Sequence, residues 1–283
     1  VIANNEVNLD IRRGEILSLL GENGSGKTTL MNMLAGLYFP DSGHVYVDGE
    51  EVSIRSPKDS YNLGIGMIHQ HFKLVDVFTA AENIALGVRE KGRYNLREIK
   101  KRIEEICRKY GFEMNPDQKV YSMTVSQKQT LEIIKVLYRG ADILILDEPT
   151  AVLTPQETEK LFNIIKNMRD DGKSIIIITH KLHEVLSVSD RVAILRRGEY
   201  IGDVPTSDAT ELSLTEMMVG EKVSLDIERP EPVNPEPRIV VRGLSCTDKD
   251  GIKVLDDISF TANSGEILGI AGISGCGQKE LLE

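Results

Sequence analysis

A glycine-rich segment near the start of the chain has the residue types that bind phosphate. It reads Gly-Glu-Asn-Gly-Ser-Gly-Lys-Thr over residues 21–28 and follows an apolar run that ends at Leu20. Glycines let backbone N–H groups turn toward a phosphate, and the start of a helix adds partial positive charge. The pattern predicts that Lys27 neutralises the β- and γ-phosphates of a nucleotide and that Thr28 offers its hydroxyl to Mg²⁺. The predicted phosphate-binding residues are Gly21, Glu22, Asn23, Gly24, Ser25, Gly26, Lys27, Thr28 and Thr29.

Two acids follow a second apolar run. Residues 143–148 read Ile-Leu-Ile-Leu-Asp-Glu, so a buried strand would deliver Asp147 to a loop edge where it can hold Mg²⁺ through water. Glu148 lies one residue further on, which suits it to accept a proton from an attacking water. Two acids after a strand are often only a solvated turn. The phosphate loop in the same chain favours the functional interpretation.

The region around the phosphate loop is repeated 251 residues further along the chain. Residues 14–17 (Gly-Glu-Ile-Leu) recur at 265–268, and the loop glycines recur with the same spacing. In the second copy Gln278 takes the place of Lys27, so the charge at the phosphate position is lost. Lys279 takes the place of Thr28, and the hydroxyl is lost too. We therefore predict a degenerate second phosphate loop made by Gly272, Gly275, Gly277 and Gln278.

Strand-like runs alternate with helical patterns, which indicates an α/β fold with a mainly parallel sheet. The predicted buried strands cover residues 16–20, 143–146, 175–179 and 192–195. Apolar residues at helical spacing predict a helix over 96–110, and a capping box at Thr154 predicts another that runs to about Asp171. Residues 71–138 are helix-rich and interrupt the series of strands, so we expect an inserted helical lobe there.

A proline-rich stretch, residues 228–238 (ERPEPVNPEPR), separates the two copies. Proline removes a backbone donor and fixes φ, so the stretch favours an extended linker. We predict a first domain at 1–222, a linker at 223–237 and the start of a second, truncated domain at 238–283.

Net charge, the length of the apolar runs and the cysteine spacing argue against several classes of protein. The formal net charge is −10, which argues against a surface that coats nucleic acid. The apolar runs are far shorter than the ~20 residues of a membrane helix, and no secretion signal precedes the first strand. The three cysteines are widely separated and form no CxxC pair, so a reducing compartment fits best.

Together these motifs resemble the nucleotide-binding subunit of ATP-binding cassette (ABC) transporters. The resemblance implies a P-loop NTPase of the ABC type, with a mainly parallel sheet, an antiparallel β subdomain and a helical lobe. It implies that Gln70, after a strand, contacts Mg²⁺ and water and senses the membrane partner, and that His180 is the switch histidine at the γ-phosphate. The implied catalytic residues are Glu148, His180 and Gln70; the implied Mg²⁺ ligands, partly through water, are Thr28, Gln70 and Asp147.

The family's signature motif is altered in this chain. Family members usually have Leu-Ser-Gly-Gly-Gln or, in the sugar branch, Leu-Ser-Val-Gly-Gln. This chain has Met-Thr-Val-Ser-Gln at residues 123–127, and we expect a helix to follow it at residues 128–139. Ser126 replaces a glycine, and its Cβ would crowd a γ-phosphate. The degenerate signature consists of Thr124, Val125, Ser126 and Gln127. Since cassettes of this family pair head to tail, the resemblance implies one degenerate site and one hydrolytic site in the full protein.

The tandem arrangement is similar to ATPases that serve importers of simple sugars and nucleosides. That resemblance implies hydrolysis of ATP to ADP and phosphate at the cytoplasmic face of the membrane, with permease subunits and, indirectly, a substrate-binding protein as partners and no nucleic acid. Two alternatives remain: a soluble tandem ATPase that acts on the ribosome, and an ATP-binding module without turnover. The ribosomal branch has a long basic linker, whereas the linker here is short, proline-rich and acidic.

Overall fold

The computed structural model of the chain describes residues 2–70, 72–86, 95–221, 234–247, 251–272 and 276–282. They belong to two compact units, residues 1–223 and 224–283. Within the described ranges, every helix is too short or too polar to span a lipid bilayer.

The first unit contains strands β1 (Ile16–Leu20), β2 (Val45–Val47), β3 (Glu50–Val52), β4 (Ile65–Ile68), β5 (Ile143–Asp147), β6 (Ser174–Ile178), β7 (Arg191–Arg196) and β8 (Glu199–Pro205). Its helices are α1 (Lys27–Leu34), α2 (Pro57–Asn62), α3 (Ala80–Ala85), α4 (Leu96–Tyr110), α5 (Val125–Tyr138), α6 (Pro155–Asp170), α7 (Leu182–Val188) and α8 (Glu211–Val219). Short 3-10 turns lie at Val120–Ser122 and Thr206–Asp208.

Six strands form one sheet in the order β4-β5-β6-β1-β7-β8. All neighbours are parallel except β7 and β8, which are antiparallel. Strands β2 and β3 form a separate antiparallel pair. Because helices cover both faces of a parallel sheet, its central strands are continuous apolar runs, as β1 and β6 are. The predicted mixed α/β fold is confirmed.

Two apolar clusters fix the sheet from opposite sides. One is formed mainly by the lobe helices α3, α4 and α5, which lie between β4 and β5 in the chain, together with α6. The other packs α1 and the β2–β3 pair against the sheet. Alternate residues of β1 belong to different clusters: Ile16 to the first, Leu17 and Leu19 to the second. This alternation is what a strand buried on both faces requires.

Local signals located the ends of α4 and the start of α6, but the start of α5 was predicted wrongly. Helix α4 spans the predicted 96–110, and α6 begins after Thr154 with a complete capping box and proline at its first position. The prediction that residues 124–127 precede a helix starting at 128 is wrong, because α5 begins at Val125. The Thr124 hydroxyl accepts the Gln127 N–H, and the Gln127 side chain accepts the Thr124 N–H. This reciprocal cap draws the signature residues into the first turn.

The second unit contains strands β9 (Pro237–Thr247) and β10 (Lys253–Asn263), which pair antiparallel, and the short helix α9 (Gln278–Leu282). Several local features recur from the first unit at the repeat distance. Gly14 and Gly265 both have positive φ, 69° and 76°. The backbone N–H of Asn263 donates to the Glu266 carboxylate, as that of Arg12 does to Glu15. Of the predicted second loop, Gly275 lies outside the described residues.

Candidate functional site

The glycine-rich segment lies between the buried end of β1 and the start of α1. Gly26 is the N-cap of α1 and has a left-handed backbone with φ 96°. A Cβ at Gly26 would lie 2.4 Å from the carbonyl oxygen of Ala3, and one at Gly21 would lie 2.2 Å from that of Leu195. Only glycine fits these two positions without displacing backbone. The predicted strand, loop and helix are therefore all present.

Lys27 is buried, and its ammonium lies inside the loop. Its Nζ donates to the carbonyl oxygens of Gly21 at 2.6 Å and Glu22 at 2.8 Å, and to Ser25 Oγ at 3.3 Å. Burial lowers the pKa of Lys27, while the nearby carboxylates, Glu148 first, act to raise it. Lys27 is therefore a desolvated cation beside the acids that follow β5.

The remaining loop residues differ in exposure. Glu22, Asn23, Gly24 and Thr28 are exposed, Thr29 is half-buried, and Ser25 is buried. The loop is closed by backbone bonds, from the Ser25 N–H to the Glu22 carbonyl at 3.1 Å and from the Gly198 N–H to the Ser25 carbonyl at 3.1 Å. The exposed hydroxyl of Thr28 and the backbone of residues 22–24 are therefore accessible to a ligand.

Glu148 follows β5 with an unusual backbone. Its φ is 45°, a conformation that costs a non-glycine residue roughly 1–2 kcal/mol. Its N–H donates to the Ile178 carbonyl at 2.8 Å, which extends the pairing of β5 with β6 beyond Asp147. Residues held in such conformations are concentrated at functional sites. The turn directs the Glu148 side chain toward the ends of β4 and β6.

All three predicted catalytic side chains meet at this edge of the sheet. Gln70, after β4, donates its Nε2 to Glu148 Oε2 at 3.4 Å. His180, after β6, has its Nδ1 3.0 Å from Glu148 Oε1. The carboxylate thus lies between an amide and an imidazole, which orient it. A carboxylate in this position can accept a proton from a water molecule.

Asp147 is the last residue of β5 and is partly buried. Burial, followed by the neighbouring Glu148 carboxylate, raises the pKa of Asp147, and Lys27 acts against both. Within the described residues there is no group of three or more His, Cys, Asp or Glu side chains that could hold a metal by itself. Mg²⁺ at nucleotide sites usually takes one or two protein ligands and completes its shell with phosphate and water. Asp147, Thr28 and Gln70 offer the oxygen donors that such a site needs.

The predicted signature residues lie elsewhere in the described structure. Thr124 and Val125 are exposed, and Ser126 and Gln127 are half-buried, all at the N-terminus of α5. Their hydrogen bonds join Thr124 to Gln127, and Gln127 Oε1 also accepts from Gln118 at 3.3 Å. The hydrogen bonds described for these four residues do not include Glu148.

In the second unit, the loop counterpart begins helix α9 at Gln278, and Gly277 has φ 91°. The Gln278 side-chain amide donates to the carbonyl oxygen of Ile270 at 3.0 Å. A Cβ at Gly272 would lie 2.1 Å from Cys276 Sγ, as one at Gly21 would crowd Ser25 Oγ at 2.4 Å. The glycine requirements are similar in the two loops, but a neutral amide stands where the first has an ammonium.

The sequence analysis did not identify a set of polar residues near Glu148, of which Thr150 and Glu184 are buried and Lys181 is half-buried. Thr150 Oγ1 donates to Glu184 Oε2 at 2.5 Å, and Lys181 Nζ donates to the Thr150 carbonyl at 3.0 Å and to Glu184 Oε1 at 2.9 Å. These contacts tie the turn after Glu148 to helix α7. The signal that could have found Lys181 and Glu184 is their closeness in sequence to His180.

A parallel sheet with a glycine-rich loop after β1 and an acidic pair after β5 defines a P-loop nucleotide-binding domain. Residues 4–151 match the family model described as ABC transporter. The chain belongs to the ABC transporter family.

Two relatives that match the whole chain are named as import ATP-binding proteins. The glucose import ATP-binding protein TsgD13 of Haloferax volcanii is 44% identical over the whole chain, which covers 57% of that protein. The nucleoside import ATP-binding protein NupA of Lactococcus lactis is 47% identical, again over the whole chain, with 56% covered. The chain thus spans little more than half the length of these relatives. A dimeric ATP-binding cassette solved in a post-hydrolysis state with ADP and Pi is 28% identical, with a TM-score of 0.63 over 72% of this chain and 90% of that one.

Proposed function

We propose that the chain is the ATP-binding and ATP-hydrolysing part of an importer subunit that couples ATP hydrolysis to uptake of a simple sugar or a nucleoside. The observation that carries the proposal is the meeting of Gln70 and His180 on the Glu148 carboxylate, on the same sheet edge as the Lys27 loop. The solute class rests on the names of the relatives, which include glucose and nucleoside importers.

In this proposal the loop N–H groups and Lys27 bind the phosphates. Lys27 exchanges its bonds to the Gly21 and Glu22 carbonyls for phosphate oxygens. Thr28, Gln70 and Asp147 hold Mg²⁺, which neutralises phosphate charge when bound. Glu148 accepts the proton of the attacking water, and His180 and Gln70 keep its carboxylate oriented.

The domain organisation is part of the same proposal. Residues 1–222 form one cassette with its helical lobe at about 71–138. The linker predicted at 223–237 lies outside the described residues as far as residue 233, and its last residue, Pro237, begins β9. Residues 238–283 begin a second cassette with a degenerate phosphate loop. The recurrence of the Glu15 cap at Glu266 and of the Gly26 backbone at Gly277 supports this assignment. Pairing between cassettes would then join the altered loop to the altered signature.

The proposed partners are the permease subunits of the importer and, through them, a substrate-binding protein, with the ATPase peripheral at the cytoplasmic face. The net charge of −10 supports the absence of nucleic acid among the partners. The ribosomal alternative has no support in the relatives described above, which are named for import.

Uptake by cells tests the coupling. Cells deleted for the gene would be complemented with the whole gene product, either unchanged or as Glu148→Gln, and given radiolabelled ribose, glucose or a nucleoside. We expect the unchanged protein to restore uptake of one solute class and Glu148→Gln to restore none. Glu159→Gln, an exposed acid on α6, is the matched control and should restore uptake fully. Equal uptake with Glu148→Gln and the unchanged protein would contradict the proposal.

A further inference from the structure

Helix α5 carries three largely buried polar side chains on one stripe, among the apolar residues that pack it into the core. Gln129, Glu132 and Lys135 are spaced by three residues, so they follow one another along adjacent turns. Gln129 and Glu132 are each 6% exposed, and the Lys135 side chain is 11% exposed. Polar groups are costly to bury unless they are hydrogen-bonded. The partners of these three side chains therefore indicate why the helix contains them.

Gln129 holds the turn that follows the proposed catalytic base. Its Nε2 donates to the carbonyl oxygen of Pro149 at 2.5 Å. From the other side, Lys181 Nζ donates to the next carbonyl, that of Thr150, at 3.0 Å. Glu148 has φ 45°, and a strained backbone persists only where its surroundings hold it. These two bonds fix the peptides directly after the strained residue.

Glu132 and Lys135 hold the backbone of Lys73, which lies three residues after Gln70. The Lys73 backbone N–H donates to Glu132 Oε1 at 2.8 Å, and the Lys73 carbonyl accepts from Lys135 Nζ at 3.3 Å. Lys135 Nζ also pairs with Glu132 Oε2 at 2.5 Å. The Glu132–Lys135 ion pair thus binds both the N–H and the carbonyl of Lys73.

We propose that Gln129, Glu132 and Lys135 are positioning residues for hydrolysis. Through them helix α5 holds the backbone of Pro149, next to Glu148, and the backbone of Lys73, three residues after Gln70. In this way it fixes the 3.4 Å contact between the Gln70 and Glu148 side chains. The inference rests on the proposed function of Glu148. The three residues act through the backbone and contact neither the Gln70 nor the Glu148 side chain in the hydrogen bonds described.

The test is steady-state ATP hydrolysis by the whole gene product assembled with its membrane partners. Gln129→Met keeps the volume and removes the donor to Pro149. We expect kcat to fall by about 10- to 100-fold, since small displacements of a catalytic group have effects of this size. ATP affinity should stay within about threefold of the parent, because the Lys27 loop is untouched. Gln156→Met, the same change in the exposed first turn of α6, is the control and should match the parent.

A second variant guards against a folding defect. Glu132→Leu combined with Lys135→Met removes both charges together, so that neither is left buried without a partner. It should also lower kcat without weakening ATP binding. If Gln129→Met does not fold, this double variant decides the question by the same criterion.

A double-mutant comparison separates positioning from a merely structural role. Added to Glu148→Gln, Gln129→Met should cause no further fall in kcat, because its target is already removed. A kcat within threefold of the parent for Gln129→Met, or an equal further fall in the Glu148→Gln background, would overturn the inference alone. Parent-like hydrolysis by Glu148→Gln itself would overturn the proposed function, and the inference with it.

Discussion

The phosphate loop of the first unit and its counterpart in the second share a backbone pattern but differ in chemistry. Gly26 and Gly277 have φ of 96° and 91° and precede helices that begin at Lys27 and Gln278. The Lys27 ammonium has three acceptors inside its loop. The Gln278 amide donates to the carbonyl of Ile270. The glycines thus determine the path of the backbone in both loops. The residue after the last glycine, Lys27 or Gln278, determines whether the loop offers a cation.

The settings of the two loops also differ. The first follows β1, whose five residues are all buried, and lies beside the acids at the end of β5. In the second unit, residues 267, 268 and 270 are exposed and no strand is described there. We expect nucleotide chemistry at the first loop because Lys27 supplies a cation there, whereas the second loop has the neutral amide of Gln278.

The largest difference that we expect between the two loops is in their contribution to ATP affinity. Lys27→Ala removes the charge that binds the phosphates, and we expect a fluorescent ATP analogue to bind roughly 100-fold more weakly, since hydrogen bonds to charged groups contribute ~1.5–3 kcal/mol each. Lys279 is the lysine that follows Gln278 in the second loop. Lys279→Ala should leave the affinity for the ATP analogue unchanged. Fluorescence titration of the two variants checks this. Parent-like affinity in Lys27→Ala would remove the first loop from the account.

The backbone requirement predicts a graded effect on the free energy of unfolding. At Gly26 the backbone has a left-handed φ, and an added Cβ would lie 2.4 Å from the Ala3 carbonyl oxygen. We therefore expect Gly26→Ala to lower the free energy of unfolding by about 2–4 kcal/mol. Gly24→Ala has φ 83° but nothing within 4 Å, so only the backbone cost of about 1 kcal/mol should appear. Urea denaturation measures both. Equal losses would show that the close approach of residue 3 is not what requires glycine.

The smallest expected effect is on thiol labelling in the second loop. Cys276 is exposed and stands where the first loop has Ser25. In a Cys246→Ser background, maleimide should modify Cys276 at rates that agree within twofold with and without Mg-ATP. Cys107 serves as the unreactive reference, because burial raises its pKa to about 11. Strong protection of Cys276 at the ATP concentration that saturates the first loop would mean that the second loop also binds nucleotide.

Much of the site was predictable because its signals are local. Apolar runs located β1 and β5, and the Thr154 capping box located α6. The start of α5 was misplaced because the same Thr124 and Gln127 that form a cap were interpreted only as a signature motif.

Other features depend on tertiary contacts between distant residues. The positive φ of Glu148 and the Gln129 bond to Pro149 depend on which elements pack together. The same holds for the buried pair of Arg191 with Glu15, at 2.9 Å, which joins the starts of β7 and β1. No spacing rule links residues so far apart in sequence.

The most direct test of the account combines phosphate release and ATP retention in one preparation of the whole gene product with its membrane partners. Glu148→Gln keeps the shape of the side chain and removes the base. We expect phosphate release to fall by about 10²–10⁴-fold, while radiolabelled ATP stays bound as in the parent. Phosphate release at the parent's rate would contradict the account, because the Glu148 carboxylate held by Gln70 and His180 would then have no part in hydrolysis.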